Sequence, residues 1–107
     1  MTTADFDHII SSNHLILAVF YAEWSGACRA IEPSLERISL SMNDRVDILR
    51  LDTQLLDHIE LVRRYNIVSV PTFMLFTHSK KLWRDSGVIH YDRLCSIIHR
   101  HFFIEVY

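Results

Sequence analysis

Glycine, proline and cysteine are scarce in this sequence: each occurs only twice in 107 residues, while 50% of the residues are hydrophobic. So few glycines and prolines exclude a collagen-like repeat, and the high apolar content argues against a long disordered or low-complexity chain. The two cysteines, Cys28 and Cys95, are too few and too far apart for the disulfide framework of a small secreted domain. The length fits one domain, residues 1–107, with its own hydrophobic core.

Long hydrophobic segments and an excess of one charge are also absent. The longest apolar run, Leu15–Ala22, is far shorter than the roughly 20 residues that a membrane-spanning helix requires. The N-terminal segment Met1 to Asp5 has neither the basic nor the apolar stretch of a secretory signal, so we expect a cytoplasmic protein. With 11 basic against 13 acidic residues, the chain has no basic block for nucleic-acid binding. We therefore expect neither a nucleic-acid partner nor a membrane partner.

The apolar pattern predicts four strands. Leu15–Tyr21 is a continuous apolar run of the kind found in a strand that is covered on both faces, and Val46–Leu51 is predicted to be a second buried strand. Thr72–Phe76 is a third strand, and Lys81–Asp85 is a weaker, more polar fourth strand. Strands separated by helices pair in parallel, whereas the last two strands can form an antiparallel hairpin. The sequence therefore predicts a three-layer α/β domain with a mixed central sheet.

Four helices are expected around these strands, because apolar residues recur there at helical spacing. The four stripes are Phe6, Ile9 and Ile10; Ile31, Leu35, Ile38 and Met42; Leu55, Ile59 and Val62; and Tyr91, Leu94, Cys95, Ile98 and Phe102. Pro33 lies inside the second helix and predicts a kink there. Since Cys95 lies on the apolar stripe of the last helix, we expect it to face the core.

The segment after the first strand is where a functional site is expected, because sites in such sheets lie past the carboxyl ends of strands. It reads WSGAC from Trp24 to Cys28, and Pro33 follows about a turn later. Together with RRYNIVSVPTFMLF around Pro71 and with Gly87, it resembles the thioredoxin family. The resemblance covers nearly the whole chain. It implies a thioredoxin-like fold, a cis peptide bond before Pro71 and a protein-disulfide oxidoreductase activity.

Ser25 is the largest departure from the family pattern. It stands where the family has its attacking cysteine, and Cys28 stands at the place of the second, resolving cysteine. A serine hydroxyl cannot replace the thiolate that begins disulfide exchange. We expect Ser25 to cap the helix rather than to act as a nucleophile, because no histidine is near and no G-x-S-x-G elbow is present. Cys28 is then a single thiol, either reactive toward a small disulfide or a partner, or packed and slow.

A second departure concerns the residues beneath this motif. Val19 aligns with a buried acid to which the family resemblance assigns proton relay, and valine cannot relay a proton. Arg50 aligns with the lysine that faces this acid. Because an unpaired buried guanidinium is costly, we expect Arg50 to turn toward Asp52, toward Glu23 or into solvent.

The resemblance also implies a groove that holds an extended polypeptide, which we call the predicted groove. Its members are Trp24, Gly26, Ala27, Val70, Pro71, Gly87 and Val88. The backbone beside the proline would pair with the bound segment as an added strand. None of these residues supplies the redox chemistry, so binding and turnover can be separated in this chain.

Two functions fit these observations. The first is a thiol-disulfide protein whose S-x-x-C site, natural or produced by an engineered cysteine-to-serine change, cannot act alone as a dithiol reductase. The alternative is a redox-inactive peptide-binding or chaperone-like module. In both cases we expect a monomer, no cofactor, and a protein or peptide partner with a cysteine or an extended segment. The seven histidines lack the spacing of metal ligands, so we expect them to be solvated and no metal to be bound.

Overall fold

The computed structural model of the chain describes residues 1–105, and these form four helices around a four-stranded sheet. The helices are α1 Thr3–Ile10, α2 Gly26–Ser41, α3 Ile59–Arg64 and α4 Tyr91–Glu105, with a 3₁₀ turn at Leu56–His58. The strands are β1 Leu15–Tyr21, β2 Val46–Asp52, β3 Thr72–Thr77 and β4 Lys80–Ser86. Residues 106 and 107, which the predicted domain includes, lie outside the described part of the chain.

The strands lie in the order β2-β1-β3-β4. β1 pairs in parallel with β2, because α2 connects the two strands as a crossover. β3 is antiparallel to β1, and β3 and β4 form an antiparallel hairpin. The sheet is therefore mixed, and the predicted α/β architecture is confirmed.

β1 is the centre of the core and is buried on both faces, as its apolar run predicts. Its odd-numbered residues pack with α2 and α4, and its even-numbered residues pack with α1 and with Leu61 of α3. This division follows from the two-residue period of a strand, which places successive side chains on opposite faces of the sheet. The two helix layers therefore cover the sheet from both sides. The short loop after β1 leads directly into α2, so α2 begins at the carboxyl end of β1.

The prediction that β2 is a buried strand is wrong. Only Val46 and Leu51 are buried in it, whereas Asp47 and Arg50 are exposed. The reason is the strand order, because β2 lies at the edge of the sheet and, within residues 1–105, pairs with β1 alone.

The predicted apolar stripe of the third helix is also wrong. Leu55 and Ile59 are exposed, and the buried side chains are those of His58 and Leu61. The chain enters α3 through the 3₁₀ turn, which has fewer residues per turn than an α-helix and so rotates the inward-facing position. The expectation that the histidines are solvated fails for His58, whose Nδ1 lies 2.7 Å from the carbonyl oxygen of Asp52.

No helix in the described part of the chain combines the length and the apolar character that crossing a membrane would require.

Candidate functional site

Ser25 is the N-cap of α2. Its backbone is extended, with φ −83° and ψ 120°, and its Oγ accepts a hydrogen bond of 3.2 Å from the N–H of Cys28. This bond satisfies one of the amide groups that the first turn of a helix leaves without an intrahelical partner. The prediction that Ser25 caps the helix is therefore confirmed.

The two thiols of the chain lie on different helices. Cys28 is in the first turn of α2 and is only 5% exposed, and both cysteines are free. Cys95 is half-buried on α4, packs against the core, and its Sγ lies 3.6 Å from Sδ of Met42. Cys95 thus contacts the core as predicted, although part of its surface remains exposed to solvent. Within the WSGAC segment Cys28 has no second thiol to pair with, because position 25 is a serine.

Trp24 is 68% exposed and lines a surface pocket of about 240 Å³, which we call the Trp24 pocket. The other lining residues come from the loop after β2, from the end of α3 and from the loop before β3; they are Thr53, Gln54, Val62, Ile67, Val68, Ser69 and Val70. None of these lining residues is charged, and Val68 is 82% exposed. The pocket therefore presents an apolar and neutral polar surface to solvent.

Pro71 and Gly87 meet beside the end of the β3–β4 hairpin. The Val70–Pro71 peptide bond is cis, and the carbonyl of Pro71 accepts a hydrogen bond of 2.9 Å from the N–H of Gly87. Gly87 has φ +96°, a conformation that side-chain-bearing residues rarely adopt. Val88 follows it and is exposed. Among the described residues, neither the N–H nor the C=O of Val70 has a hydrogen-bond partner in the backbone.

The loop before Pro71 is held at both of its ends. Arg84 of β4 donates hydrogen bonds to the carbonyls of Tyr65 and Asn66, the latter at 3.1 Å. At the other end, Oγ1 of Thr72 donates to the carbonyl of Ser69 at 2.7 Å. These bonds fix the segment that supplies one wall of the Trp24 pocket.

Cys28 lines a second concavity of about 270 Å³, which we call the Cys28 cavity. Its other lining residues are Val19, Tyr21, Ala22, Glu23, Arg29, Ile31, Glu32 and Arg50. It shares no lining residue with the Trp24 pocket. The start of α2 is therefore flanked by two different concave surfaces.

The partner of Arg50 is Glu32 of α2, so the expected pairing with Asp52 or Glu23 is wrong, whereas the expected exposure to solvent is met in part. Nε and Nη2 of Arg50 each donate at 3.2 Å to one carboxylate oxygen of Glu32. Because β2 is an edge strand, this exposed side chain reaches α2, which crosses over the same face. Both side chains are partly exposed, so the pair contributes no more than about 1 kcal/mol to stability.

Tyr21 lies at the end of β1 and lines the Cys28 cavity. Burial, together with the negative charges of Asp52 and Glu23, raises the pKa of its hydroxyl above the ordinary value of 10.0. The hydroxyl therefore stays neutral at physiological pH. The carbonyl of Tyr21 accepts hydrogen bonds from the N–H and Oγ1 of Thr53, at 2.9 and 3.0 Å, which hold the loop after β2.

The structure brings the residues of the predicted groove together in two sets. Trp24 and Val70 line the same pocket, and Pro71 is hydrogen-bonded to Gly87 next to Val88. Gly26 and Ala27 lie in the first turn of α2, exposed and half-buried. Sequence reasoning missed six further wall residues, which are Thr53, Gln54, Val62, Ile67, Val68 and Ser69. The first two follow the carboxyl end of β2, a position that predicts a site, and the last two directly precede the Val70–Pro71 segment.

Among residues 1–105, no group of three or more His, Cys, Asp or Glu side chains is arranged to hold a metal ion.

Comparison with known proteins gives a consistent result. The family model for thioredoxin matches residues 1–100. Chloroplastic thioredoxin Y of Oryza sativa subsp. japonica is 30% identical over 94 residues, which cover 87% of this chain and 55% of that protein. The chain therefore spans little more than half of that relative. Thioredoxin of Staphylococcus aureus is 29% identical over 101 residues, 94% of each chain.

Among solved structures, the thioredoxin of Fasciola hepatica matches with a TM-score of 0.82 and 29% sequence identity, and the match covers 94% of each chain. The sheet order, the helix that begins at the WSGAC segment and a family-model match over residues 1–100 agree with one another. On these grounds the chain belongs to the thioredoxin family.

Proposed function

We propose that this thioredoxin-family chain holds extended segments of cysteine-containing proteins or peptides but does not by itself turn over their disulfides. The supporting observation is that position 25 carries a serine, whose hydroxyl oxygen accepts a hydrogen bond from the N–H of Cys28. Disulfide exchange requires a thiolate that attacks and a second thiol that resolves the mixed disulfide. Here Cys28 is one buried thiol, and Cys95 lies on α4.

The surface around Trp24 supports the binding half of this proposal. The exposed side chains of Trp24 and Val68 offer apolar area, and the unpaired backbone groups of Val70 offer one donor and one acceptor. An extended segment can add to such an edge as a strand, with its side chains in the neighbouring pocket. Gly26, Ala27, Pro71, Gly87 and Val88 complete the proposed binding surface. This surface does not depend on which residue occupies position 25.

A dithiothreitol-dependent insulin reduction assay tests the catalytic half. We expect the unaltered chain to give the uncatalysed rate, and Ser25→Cys to give a measurable rate, because the attacking thiol is then restored. The matched control is Ser25→Cys combined with Cys28→Ser, which should return to the uncatalysed rate. If the unaltered chain reduces insulin as an ordinary thioredoxin does, Cys28 attacks directly and the proposal is wrong.

The uncharged wall of the Trp24 pocket favours a second candidate function, a redox-inactive peptide-binding or chaperone-like module. Fluorescence anisotropy with two labelled peptides, identical except for cysteine or serine at one position, distinguishes it from the first. A module binds both peptides equally, and its weak affinity changes little between low and high salt because the contacts are apolar and backbone-mediated. If both peptides bind but the cysteine peptide binds more tightly, the thiol-disulfide function is the better account.

A single domain, a monomeric state and a cytoplasmic location stay predictions. Sedimentation equilibrium of the full chain tests the monomeric state, because a monomer gives the mass of 12.6 kDa at every concentration. Limited proteolysis tests the single domain, because one domain resists cleavage between its elements.

A further inference from the structure

The Cys28 cavity has no role in the proposed function. Its inner wall is formed by Val19, Ala22, Ile31 and Cys28, all of them buried. Its volume is about 270 Å³. An apolar cavity of roughly 150 Å³ is enough to bind benzene, whereas sites for drug-sized ligands begin near 300 Å³. The cavity therefore fits a small ring with a short substituent.

The mouth of the cavity carries hydrogen-bond donors that are suited to such a ligand. Nε and Nη2 of Arg50 are bound to Glu32, and among the described residues no acceptor is hydrogen-bonded to Arg50 Nη1. Nη1 of Arg29 donates to the carbonyl of Glu23 at 2.9 Å, and among the described residues its Nε and Nη2 have no acceptor. The two arginines and the two glutamates that line the cavity cancel in formal charge. A ligand without net charge and with carbonyl acceptor oxygens fits these groups best.

We propose that the Cys28 cavity binds small uncharged cyclic carbonyl compounds and that Cys28 adds to those that are α,β-unsaturated. The ring lies against Val19, Ala22 and Ile31, and the carbonyl oxygen accepts a hydrogen bond from Arg50 Nη1. In the addition, the sulfur of Cys28 bonds to the β-carbon, the π bond of the C=C group breaks, and the thiol proton passes to the α-carbon. The reaction consumes no oxidant or reductant, and it does not involve the predicted groove.

N-Ethylmaleimide and its saturated analogue N-ethylsuccinimide test this proposal on the full chain. Peptide-resolved mass spectrometry gives the rates of maleimide addition at Cys28 and at Cys95 in the same sample. We expect N-ethylsuccinimide to slow addition at Cys28 saturably, to leave Cys95 unchanged, and to shift the methyl resonances of Val19 and Ile31. Protection of neither cysteine, or equal protection of both, would overturn the proposal.

Two variants locate the effect in the cavity. Val19→Phe fills the inner end and should lower the addition rate at Cys28 on the order of tenfold, since closely packed interiors leave no room for the ring. Arg50→Met keeps the apolar stem at the surface and removes the donor, which should weaken protection by N-ethylsuccinimide about tenfold. Arg50→Met is informative even if Val19→Phe does not fold. Leu40→Ala changes an exposed side chain outside the cavity and is the control; the proposal is wrong if it matches Arg50→Met in effect.

Discussion

The two sides of the predicted groove differ in what they offer a partner. On the α2 side, the side chains of Ser25 and Cys28 are buried, and the serine oxygen is occupied by its hydrogen bond to the Cys28 amide. On the loop side, Val68 and Val88 are exposed, and the backbone groups of Val70 are unpaired among the described residues. The comparison indicates that most of the proposed recognition surface lies on elements other than α2, which carries the thiol of the WSGAC segment. Under the proposed function, a change at position 25 therefore alters the chemistry without altering the proposed binding surface.

The largest expected effect is that of Trp24→Ala on peptide binding. Aromatic side chains at the centre of an interface often account for about 2 kcal/mol or more, so we expect affinity for an extended peptide to fall more than tenfold. Fluorescence anisotropy measures this loss. Leu40→Ala is the matched control, because Leu40 is also an exposed apolar side chain, 80% accessible, and lines neither concave surface. An equal loss in both variants would show that the effect is not local to the Trp24 pocket.

Substitution of Gly87 should disturb the loop side through the backbone. A Cβ at Gly87 would have no heavy atom within 4 Å, so the cost of Gly87→Val comes from its φ of +96° rather than from a clash. We expect a loss of about 1–2 kcal/mol in the free energy of unfolding, measured in urea, together with weaker peptide binding.

The other glycine of the chain provides the control for this effect. Gly26 lies in the first turn of α2, where the Cβ of an alanine would be 3.6 Å from the flexible Arg29 side chain. Gly26→Ala should therefore leave stability unchanged or raise it slightly. If Gly26→Ala destabilises the chain as much as Gly87→Val does, the explanation by backbone conformation fails.

Ser25→Ala tests the α2 side. Removal of the Oγ that caps the helix should cost about 1 kcal/mol of unfolding free energy, whereas Ser25→Gly should cost only a few tenths. Binding of a cysteine-free peptide should stay the same in both variants. A large loss of peptide affinity in Ser25→Ala would show that peptide binding depends on the α2 side as well, and would contradict the independence of the two sides.

The smallest expected effect lies away from both sides, at His14. Its Nδ1 lies 2.9 Å from Oδ2 of Asp47, and this hydrogen bond, with that to the Asp44 carbonyl, raises the pKa of His14 above the ordinary value of 6.5. A raised folded-state pKa means that the stabilisation is complete below 6.5 and is lost as pH rises through the folded-state value. Because the pair is partly exposed, the change is below about 1 kcal/mol.

Urea unfolding over this pH range, with Asp47→Asn as the comparison, measures that change. Asp47→Asn should lose the additional stability at low pH, and peptide binding should be unaffected. The explanation is wrong if both chains show the same pH dependence.

Much of the fold is predictable because its signals are local. The apolar run of β1 and the helical spacing of Ile31, Leu35 and Ile38 depend only on residues that are near in sequence, and the structure confirms both elements. The N-cap at Ser25 is equally local, since it depends on one hydroxyl and one amide three residues away.

The features that sequence reasoning missed depend on how distant elements are placed. The pairing of Arg50 with Glu32 follows from the edge position of β2 and from the packing of α2, neither of which the sequence displays. The burial of His58 follows from a 3₁₀ turn that rotates the face of α3. The hydrogen bonds from Arg84 also depend on distant placement, because they link β4 to the loop that follows α3.

The central claim, that recognition is independent of the thiol, is tested most directly by backbone chemical-shift mapping. The isotope-labelled chain and its Cys28→Ser variant are each titrated with the same cysteine-free extended peptide. The account predicts that shifts centre on Trp24, Val70 and Gly87 in both titrations, with the same affinity. Shifts confined to another face of the molecule, or a loss of binding in Cys28→Ser, would contradict it.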